Sequence, residues 1–178
     1  PFAFEYNGNY YLTYPYVRED TEVLAYAMSK NPMGPYEYKG LIMAEHENGC
    51  WTNHHSIVNF KGQWYLFYHH NAFSPHFDKN RSAQIEKLYF NPDGTIQEVK
   101  PTLRGVGPIK ASQKVQIDRY SCIDGAAIEY LDTTDYFKGW KTVFAKAGDK
   151  VCFNEVNFGK KAPKTAVVCV KADAGAQL

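Results

Sequence analysis

The sequence lacks an excess of charge of either sign. It has 20 Lys and Arg residues against 19 Asp and Glu residues, which gives a formal net charge of +1. A chain this close to neutral creates no strong field for nucleic acid or an anionic membrane. No run of 18 apolar residues is present either, so no transmembrane helix is predicted. We therefore expect no nucleic-acid partner and no membrane partner.

Cysteine is scarce and lacks the spacing of a metal-binding motif. Cys50, Cys122, Cys152 and Cys169 form no C-x-x-C pair, which argues against a structural zinc knuckle. Reduced thiols in the core are the simplest expectation. The alternative is a pair between Cys152 and Cys169 on neighbouring strands.

Aromatic residues, by contrast, are abundant. They make up 16% of the chain, with 14 Tyr and 11 Phe, a composition that favours strands and surfaces that stack on flat ligands. Four of the six histidines lie in one aromatic stretch, CWTNHHSIVNFKGQWYLFYHH at 50–70. That stretch is the first place to search for a functional site.

An internal repeat indicates the architecture. NGNYYLTYP at 7–15 and KGQWYLFYHH at 61–70 share a turn followed by a strand, and Gly8 and Gly62 are 54 residues apart. Each copy lies within a predicted unit of four short strands, and successive four-strand units are typical of β-propeller blades. The alternative is a pair of unrelated β-meanders.

The composition changes near Pro101. The stretch PTLRGVGPIK has two Pro and two Gly, and histidine is absent after it, which indicates a linker and a second domain. We predict propeller blades at 1–100, a linker at 101–111 and a partial β-sandwich at 112–178. Two blades leave open sheet edges, and the chain opens on Pro1 inside an aromatic strand. We therefore expect a fragment with further blades upstream.

These residues carry a resemblance to known families. PFAFEYNGNYYLTYP, LAYAMSKNPMGPYEYKGLIM, WTNHHSIVNFKGQWYLFYHH and NRSAQIEKLYFNPDGTI resemble, in order, pieces of glycoside hydrolase family 43. Members are five-bladed propellers that cleave arabinose- and xylose-containing plant polysaccharides. In the second domain, KVQIDRY, AAIEYLD and AGDKVCFNEVNFG are similar to the start of a family 6 carbohydrate-binding module.

The resemblance also implies where the catalytic carboxylates lie. The family uses a Glu as general acid and two Asp residues, one as general base and one that tunes the acid. The Glu is expected two residues before Pro1 and both Asp residues further upstream. The chain would then contain no catalytic residue and would be inactive alone.

Three residues match other functional positions of the family. His54 in TNHHSI matches a histidine that binds a central cation, usually calcium, and its alternative is a neutral imidazole hydrogen-bonded in the funnel floor. Arg81 matches an arginine of the sugar pocket, with Asn80 replacing a second one; the alternative is an exposed arginine. Trp51 either forms a wall of that substrate-binding pocket or packs between blades.

The remaining histidines of the stretch have less defined roles. On an alternating strand, His55 is predicted to point away from His54. His69 and His70 end the next strand, either at a pocket rim or in a solvent-facing turn. A zinc site is not expected, because adjacent pairs on strands diverge and zinc needs three or four ligands that converge.

The first functional hypothesis is that the chain is part of an inverting arabinofuranosidase or β-xylosidase, which acts on hemicellulose such as xylan or arabinoxylan. The alternative is a non-catalytic propeller and sandwich that only binds glycans. By resemblance, the protein is expected to be secreted, periplasmic or on the cell surface.

Overall fold

The computed structural model describes residues 1–45, 50–71, 81–161 and 163–172. Over these ranges the chain is all-β, as predicted, with one short 3₁₀ turn at Tyr136–Lys138. None of the helical structure in this part of the chain is long and apolar enough to cross a membrane.

The first sheet is a four-stranded antiparallel meander. Its strands follow chain order: β1 (Phe2–Tyr6), β2 (Asn9–Arg18), β3 (Thr21–Ser29) and β4 (Glu37–Met43). The second sheet has three antiparallel strands, β5 (His55–Phe60), β6 (Gln63–His70) and β7 (Ser82–Leu88).

The repeat predicted from the sequence is present as two matching hairpin turns. Asn7 and Gly8 join β1 to β2 with φ of 50° and 69°, and Lys61 and Gly62 join β5 to β6 with φ of 52° and 84°. Two consecutive positive φ angles define the two-residue hairpin turn whose twist matches that of the strands. The 54-residue period therefore arises because the same type of turn joins the first two strands of each sheet.

The fourth strand predicted for the second unit is not formed. Phe90 and Ile96 make one isolated bridge, after which the chain crosses to the first sheet. The N–H of Ile96 donates to the Tyr26 hydroxyl at 2.9 Å, and the N–H of Val99 donates to the Ile42 carbonyl at 2.7 Å. Ile96 and Val99 are both buried, so core burial replaces strand pairing here.

The main core lies between the two sheets. Tyr11 and Leu24 of the first sheet and Leu66 and Leu88 of the second belong to one buried cluster and are at most 1% exposed. The cluster is bordered by aromatic side chains of both sheets. Among them the Phe4 ring stacks on Tyr11, with centroids 4.6 Å apart, and contacts Trp64 at 5.3 Å.

The C-terminal part consists of small paired strands. They are β8 (Ile109–Lys110), β9 (Cys122–Asp124), β10 (Ala127–Tyr130), β11 (Trp140–Val143), β12 (Lys150–Cys152) and β13 (Val156–Asn157). β8 pairs with β13, β9 with β12, and β10 with β11. β8 lies inside the stretch predicted to be a linker, so that stretch takes part in pairing.

The cysteine expectations were wrong for two residues. Cys122 and Cys152 face each other on β9 and β12 and are joined by a disulfide, with Cα atoms 5.2 Å apart. Cys50 is a buried thiol and Cys169 an exposed one. The alternative expectation placed Cys152 and Cys169 on neighbouring strands, whereas the strand register places Cys122 opposite Cys152.

Adjacent residues of β6 provide a test of the core. Leu66 is fully buried between the sheets, whereas the Phe67 side chain points to the other face and is 44% exposed. We expect Leu66→Ala to lower the free energy of unfolding by about 2–5 kcal/mol, because it leaves a cavity, and Phe67→Ala to change it by less than about 1 kcal/mol. Urea denaturation measures both, and equal losses would contradict the packing.

The disulfide predicts a thiol count. Under denaturing, non-reducing conditions, iodoacetamide should alkylate only Cys50 and Cys169, and after reduction all four cysteines. Intact-mass spectrometry reads the number of adducts, and four before reduction would contradict the Cys122–Cys152 bond.

Candidate functional site

Three strand boundaries meet at one end of the second sheet. β5 begins at His55, β6 ends at His70 and β7 begins at Ser82. In the β5–β6 register His55 faces Tyr68, and just beyond it the N–H of His69 donates to the His54 carbonyl at 3.3 Å. The end of the sheet therefore collects residues that are distant in sequence.

Alternation along the strands sorts these residues onto two faces. His54, His69 and Arg81 fall on one face. His55, Tyr68 and His70 fall on the other face, which packs against the first sheet. The sequence prediction that His54 and His55 point in opposite directions agrees with this register.

On the open face, His54 and His69 form a ring pair. His54 is exposed and His69 is half-buried, and their centroids are 5.8 Å apart with an interplanar angle of 24°. Burial lowers the pKa of His69, and Arg81 and the neighbouring His54 lower it further, while Glu22 and the Thr52 carbonyl partly oppose this. Two of the sequence-predicted site residues, His54 and Arg81, thus share one electrostatic environment with His69.

On the packed face, His55 contacts the first sheet. Its Nε2 lies 2.7 Å from the Thr13 hydroxyl oxygen, and that hydroxyl donates to the Phe2 carbonyl at 2.9 Å. Since the single Thr13 proton is already engaged, His55 Nε2 must carry the proton and donate. Nδ1 is then the unprotonated nitrogen, buried and without a hydrogen-bond partner among the described residues.

His70 does not meet either sequence expectation. It is 2% exposed, and its ring lies 5.6 Å from the Tyr68 ring in the interior. The paired histidines of 69–70 therefore separate, because successive strand residues point to opposite faces. Only His69 can belong to a pocket rim.

The segment before β5 is fixed to the first sheet through Glu22. The Glu22 N–H donates to the Cys50 carbonyl at 2.9 Å, and its carboxylate Oε2 accepts the N–H of Asn53 at 2.9 Å. Asn53 is fully buried, and both polar atoms of its amide lack hydrogen-bond partners among the described residues. An unpaired amide is costly to bury, so this position is one where a further polar group would be favourable.

The two predicted sugar-contacting residues differ in setting. Arg81 is exposed immediately before β7, on the face of His69. Trp51 is 41% exposed, outside the buried core cluster. Their contacts with a sugar stay predictions, and Asn80 lies outside the described residues.

The described residues do not form a metal site. No group of three His, Cys, Asp or Glu side chains in this part of the chain could hold an ion. His54 offers one imidazole, whereas calcium takes six to eight oxygen ligands. Calcium binding by His54 therefore stays a prediction.

Sequence reasoning missed Glu22 and Asn53. Glu22 lies on the other sheet, 31 residues before Asn53, and no local motif marks it. Asn53 was part of the TNHHSI motif, but its burial depends on packing that the motif does not reveal.

His55 predicts a pH dependence of stability. Burial in the first place, together with the Pro1 amine and the neighbouring His54, lowers its pKa to about 4. Between about pH 6.5 and 4 the unfolded chain therefore binds a proton that the folded chain does not, so stability is lost as pH falls. The loss due to His55 should approach about 3 kcal/mol near pH 4.

The control for this prediction is His55→Gln, which keeps an N–H donor for Thr13 and cannot titrate. Urea denaturation at several values between pH 7 and 4 should show a steeper loss of unfolding free energy in the wild type than in the variant. Parallel curves would contradict the assignment of a neutral, buried His55.

Comparison with known proteins identifies the first part of the chain. The model of glycosyl hydrolases family 43 matches residues 1–96. A β-xylosidase of Xylanibacter ruminicola is 44% identical over 96 residues, which are 54% of this chain and 29% of that protein. An arabinoxylan arabinofuranohydrolase of Paenibacillus polymyxa is 26% identical over an alignment that covers 100% of this chain and 32% of that protein.

A solved structure gives the same relationship. The GH43_1 enzyme from Xanthomonas citri, in complex with xylotriose, is 39% identical with a TM-score of 0.50, over 56% of this chain and 29% of that one. The chain thus spans about three tenths of the length of these relatives. Because the family model covers more than half of the chain, the chain belongs to glycosyl hydrolases family 43.

Proposed function

We propose that this chain is a part of a glycoside hydrolase that cleaves xylosyl or arabinofuranosyl linkages in hemicellulose. The observation that carries the proposal is the family match over residues 1–96. Relatives named β-xylosidase and arabinoxylan arabinofuranohydrolase support this substrate class, as does the xylotriose bound by the Xanthomonas citri enzyme.

The open face at the end of β6 supplies binding groups. Arg81 is an exposed guanidinium with several N–H donors that can bond sugar hydroxyls. Trp51 has an exposed ring that can stack on the apolar face of a sugar. His54 lies on the same face as Arg81 and completes a polar rim.

The chemistry requires two carboxyl groups. In an inverting hydrolase, a carboxylic acid protonates the leaving oxygen while a carboxylate activates water on the opposite face of the sugar, with about 6.5–9.5 Å between the two groups. We assign these groups to residues upstream of Pro1 in the complete enzyme. In this scheme the chain orients the sugar and transfers no proton, so the 178 residues alone hydrolyse nothing.

The C-terminal part is assigned to a carbohydrate-binding module of family 6 type. The alignment with the Paenibacillus polymyxa enzyme, which covers the whole chain, supports a common arrangement of both parts. The Cys122–Cys152 disulfide supports a secreted, periplasmic or cell-surface location, since disulfides persist in oxidising compartments. Recovery of the protein from the extracytoplasmic fraction tests the location.

The first test of function is an assay of the complete enzyme on aryl α-L-arabinofuranoside and aryl β-D-xyloside. We expect hydrolysis with inversion, seen by NMR of the first-formed anomer. Arg81→Ala should lower kcat/KM by about 10- to 100-fold. This is the loss in transition-state stabilisation expected when hydrogen bonds made by a charged group are removed. The matched control is Arg18→Ala, which removes an exposed arginine that lies 3.7 Å from Glu45 and should leave kcat/KM unchanged.

Two results would contradict the proposal. A complete protein that hydrolyses neither glycoside yet binds xylan would be a glycan-binding protein. Activity that is equal in the wild type and Arg81→Ala would remove Arg81 from the sugar pocket.

A further inference from the structure

His69 occupies the middle of the open face. Its backbone N–H donates to the His54 carbonyl, and in the β6–β7 register it faces Ala83. Ala83 has a small side chain, and the imidazole pairs with the ring of His54 on the β5 side. The two ring centroids are 5.8 Å apart, with an interplanar angle of 24°.

Charged groups of both signs, and one backbone carbonyl, act on the His69 imidazole. The Arg81 guanidinium and the Glu22 carboxylate both act electrostatically on His69, with opposite effects on its pKa, and the Thr52 carbonyl interacts with the ring. The Glu22 carboxylate also accepts a hydrogen bond from the N–H of Asn53. His69 thus pairs with the ring of His54 in the 52–54 segment and faces Ala83 near the start of β7.

Its surroundings differ from those of an ordinary surface histidine. His69 is half-buried, and its Nδ1 is sealed from solvent with no hydrogen-bond partner among the described residues. A ring placed for solvation would expose this nitrogen, since burial of an unpaired polar atom is unfavourable. The gain that offsets this cost is the packing of the ring against His54 and the 52–54 segment.

We infer that His69 is a positioning residue of the sugar site: its ring holds the His54 ring and the Arg81 guanidinium in the orientation that the open face presents to substrate. The inference rests on the proposed function. It assigns to His69 no proton transfer, only the packing of a planar ring against His54, next to Arg81, which lies on the same face two residues before the facing Ala83. His70 is excluded from this role because its side chain is buried on the other face.

The kinetic test compares two substitutions of one residue in the complete enzyme. His69→Ala removes the ring and should lower kcat/KM on the better of the two aryl glycosides by about 10-fold, in the range of couplings between contacting residues. His69→Phe keeps a planar ring and should recover activity to within about 3-fold of the wild type. A His69→Ala enzyme within 2-fold of the wild type would overturn the inference.

Phe67→Ala is the matched control for general destabilisation. Phe67 lies on the same strand and the same face two residues earlier and is 44% exposed. We expect its removal to leave kcat/KM unchanged and to shift Tm as much as His69→Ala does. Equal losses of activity in the two variants would show a structural effect and overturn the positioning role.

A double-mutant cycle tests the link to Arg81. If His69 acts by orienting Arg81, then His69→Ala should have little further effect in an Arg81→Ala background. Fully additive losses would show that the two residues act independently, which contradicts the inference.

A measurement without substrate separates this inference from the proposed function. In imidazole ¹⁵N–¹H spectra of the 178-residue chain, His69→Ala should shift and broaden the His54 ring signals, while His69→Phe should preserve a single sharp set. Unchanged His54 signals in His69→Ala would overturn the positioning role. If the His54 signals change in His69→Ala but the complete protein hydrolyses neither glycoside, the proposed function is rejected. The ring contact between His54 and His69 is then still established.

Discussion

The structure depends on the packing of two antiparallel sheets against each other through their aromatic and aliphatic faces. Tyr11, Leu66 and Leu88 are all but fully removed from water, and burial of this size is the main favourable term in folding. Phe4 and Trp64 extend the contact as tilted and stacked rings. The packed faces of the two sheets determine which side chains of the described strands stay on the open faces.

The site follows from the same packing. Once one face of the second sheet is buried, alternation forces the other face to hold each residue of opposite parity. His55 and His70 are then interior side chains, while His54, His69 and Arg81 share the open face. Neighbouring histidines thus have different chemistry: His55 is a neutral donor to Thr13, and His69 pairs with the His54 ring on the open face.

The C-terminal part is attached to the sheet pair by polar contacts. The Glu86 carboxylate accepts hydrogen bonds from both the N–H and the hydroxyl of Thr102, at 2.8 and 2.6 Å. Lys87 and Glu155 form an ion pair at 2.7 Å. Thr102 belongs to the predicted linker, and the N–H groups of Ile109 and Ala111 donate to the Glu155 and Asn157 carbonyls. The stretch 101–111 is therefore a hydrogen-bonded connection. The Cys122–Cys152 bond then fixes the small sheets beyond it.

The sequence by itself determined the features that have a local cause. The repeated turn at Gly8 and Gly62, followed each time by an aromatic strand, predicted the repeat and its hairpins. Alternation along a strand predicted the opposite directions of His54 and His55. Features that depend on distant partners came only from the tertiary packing. They are the burial of Ile96 and Val99 in place of the fourth strand predicted for the second unit, the pairing of Cys152 with Cys122, the interior position of His70, and the hydrogen bond from Asn53 to Glu22. Local patterns fix which side of a strand a residue takes, but which residue it meets is set by sheet packing, and no short stretch of sequence contains that information.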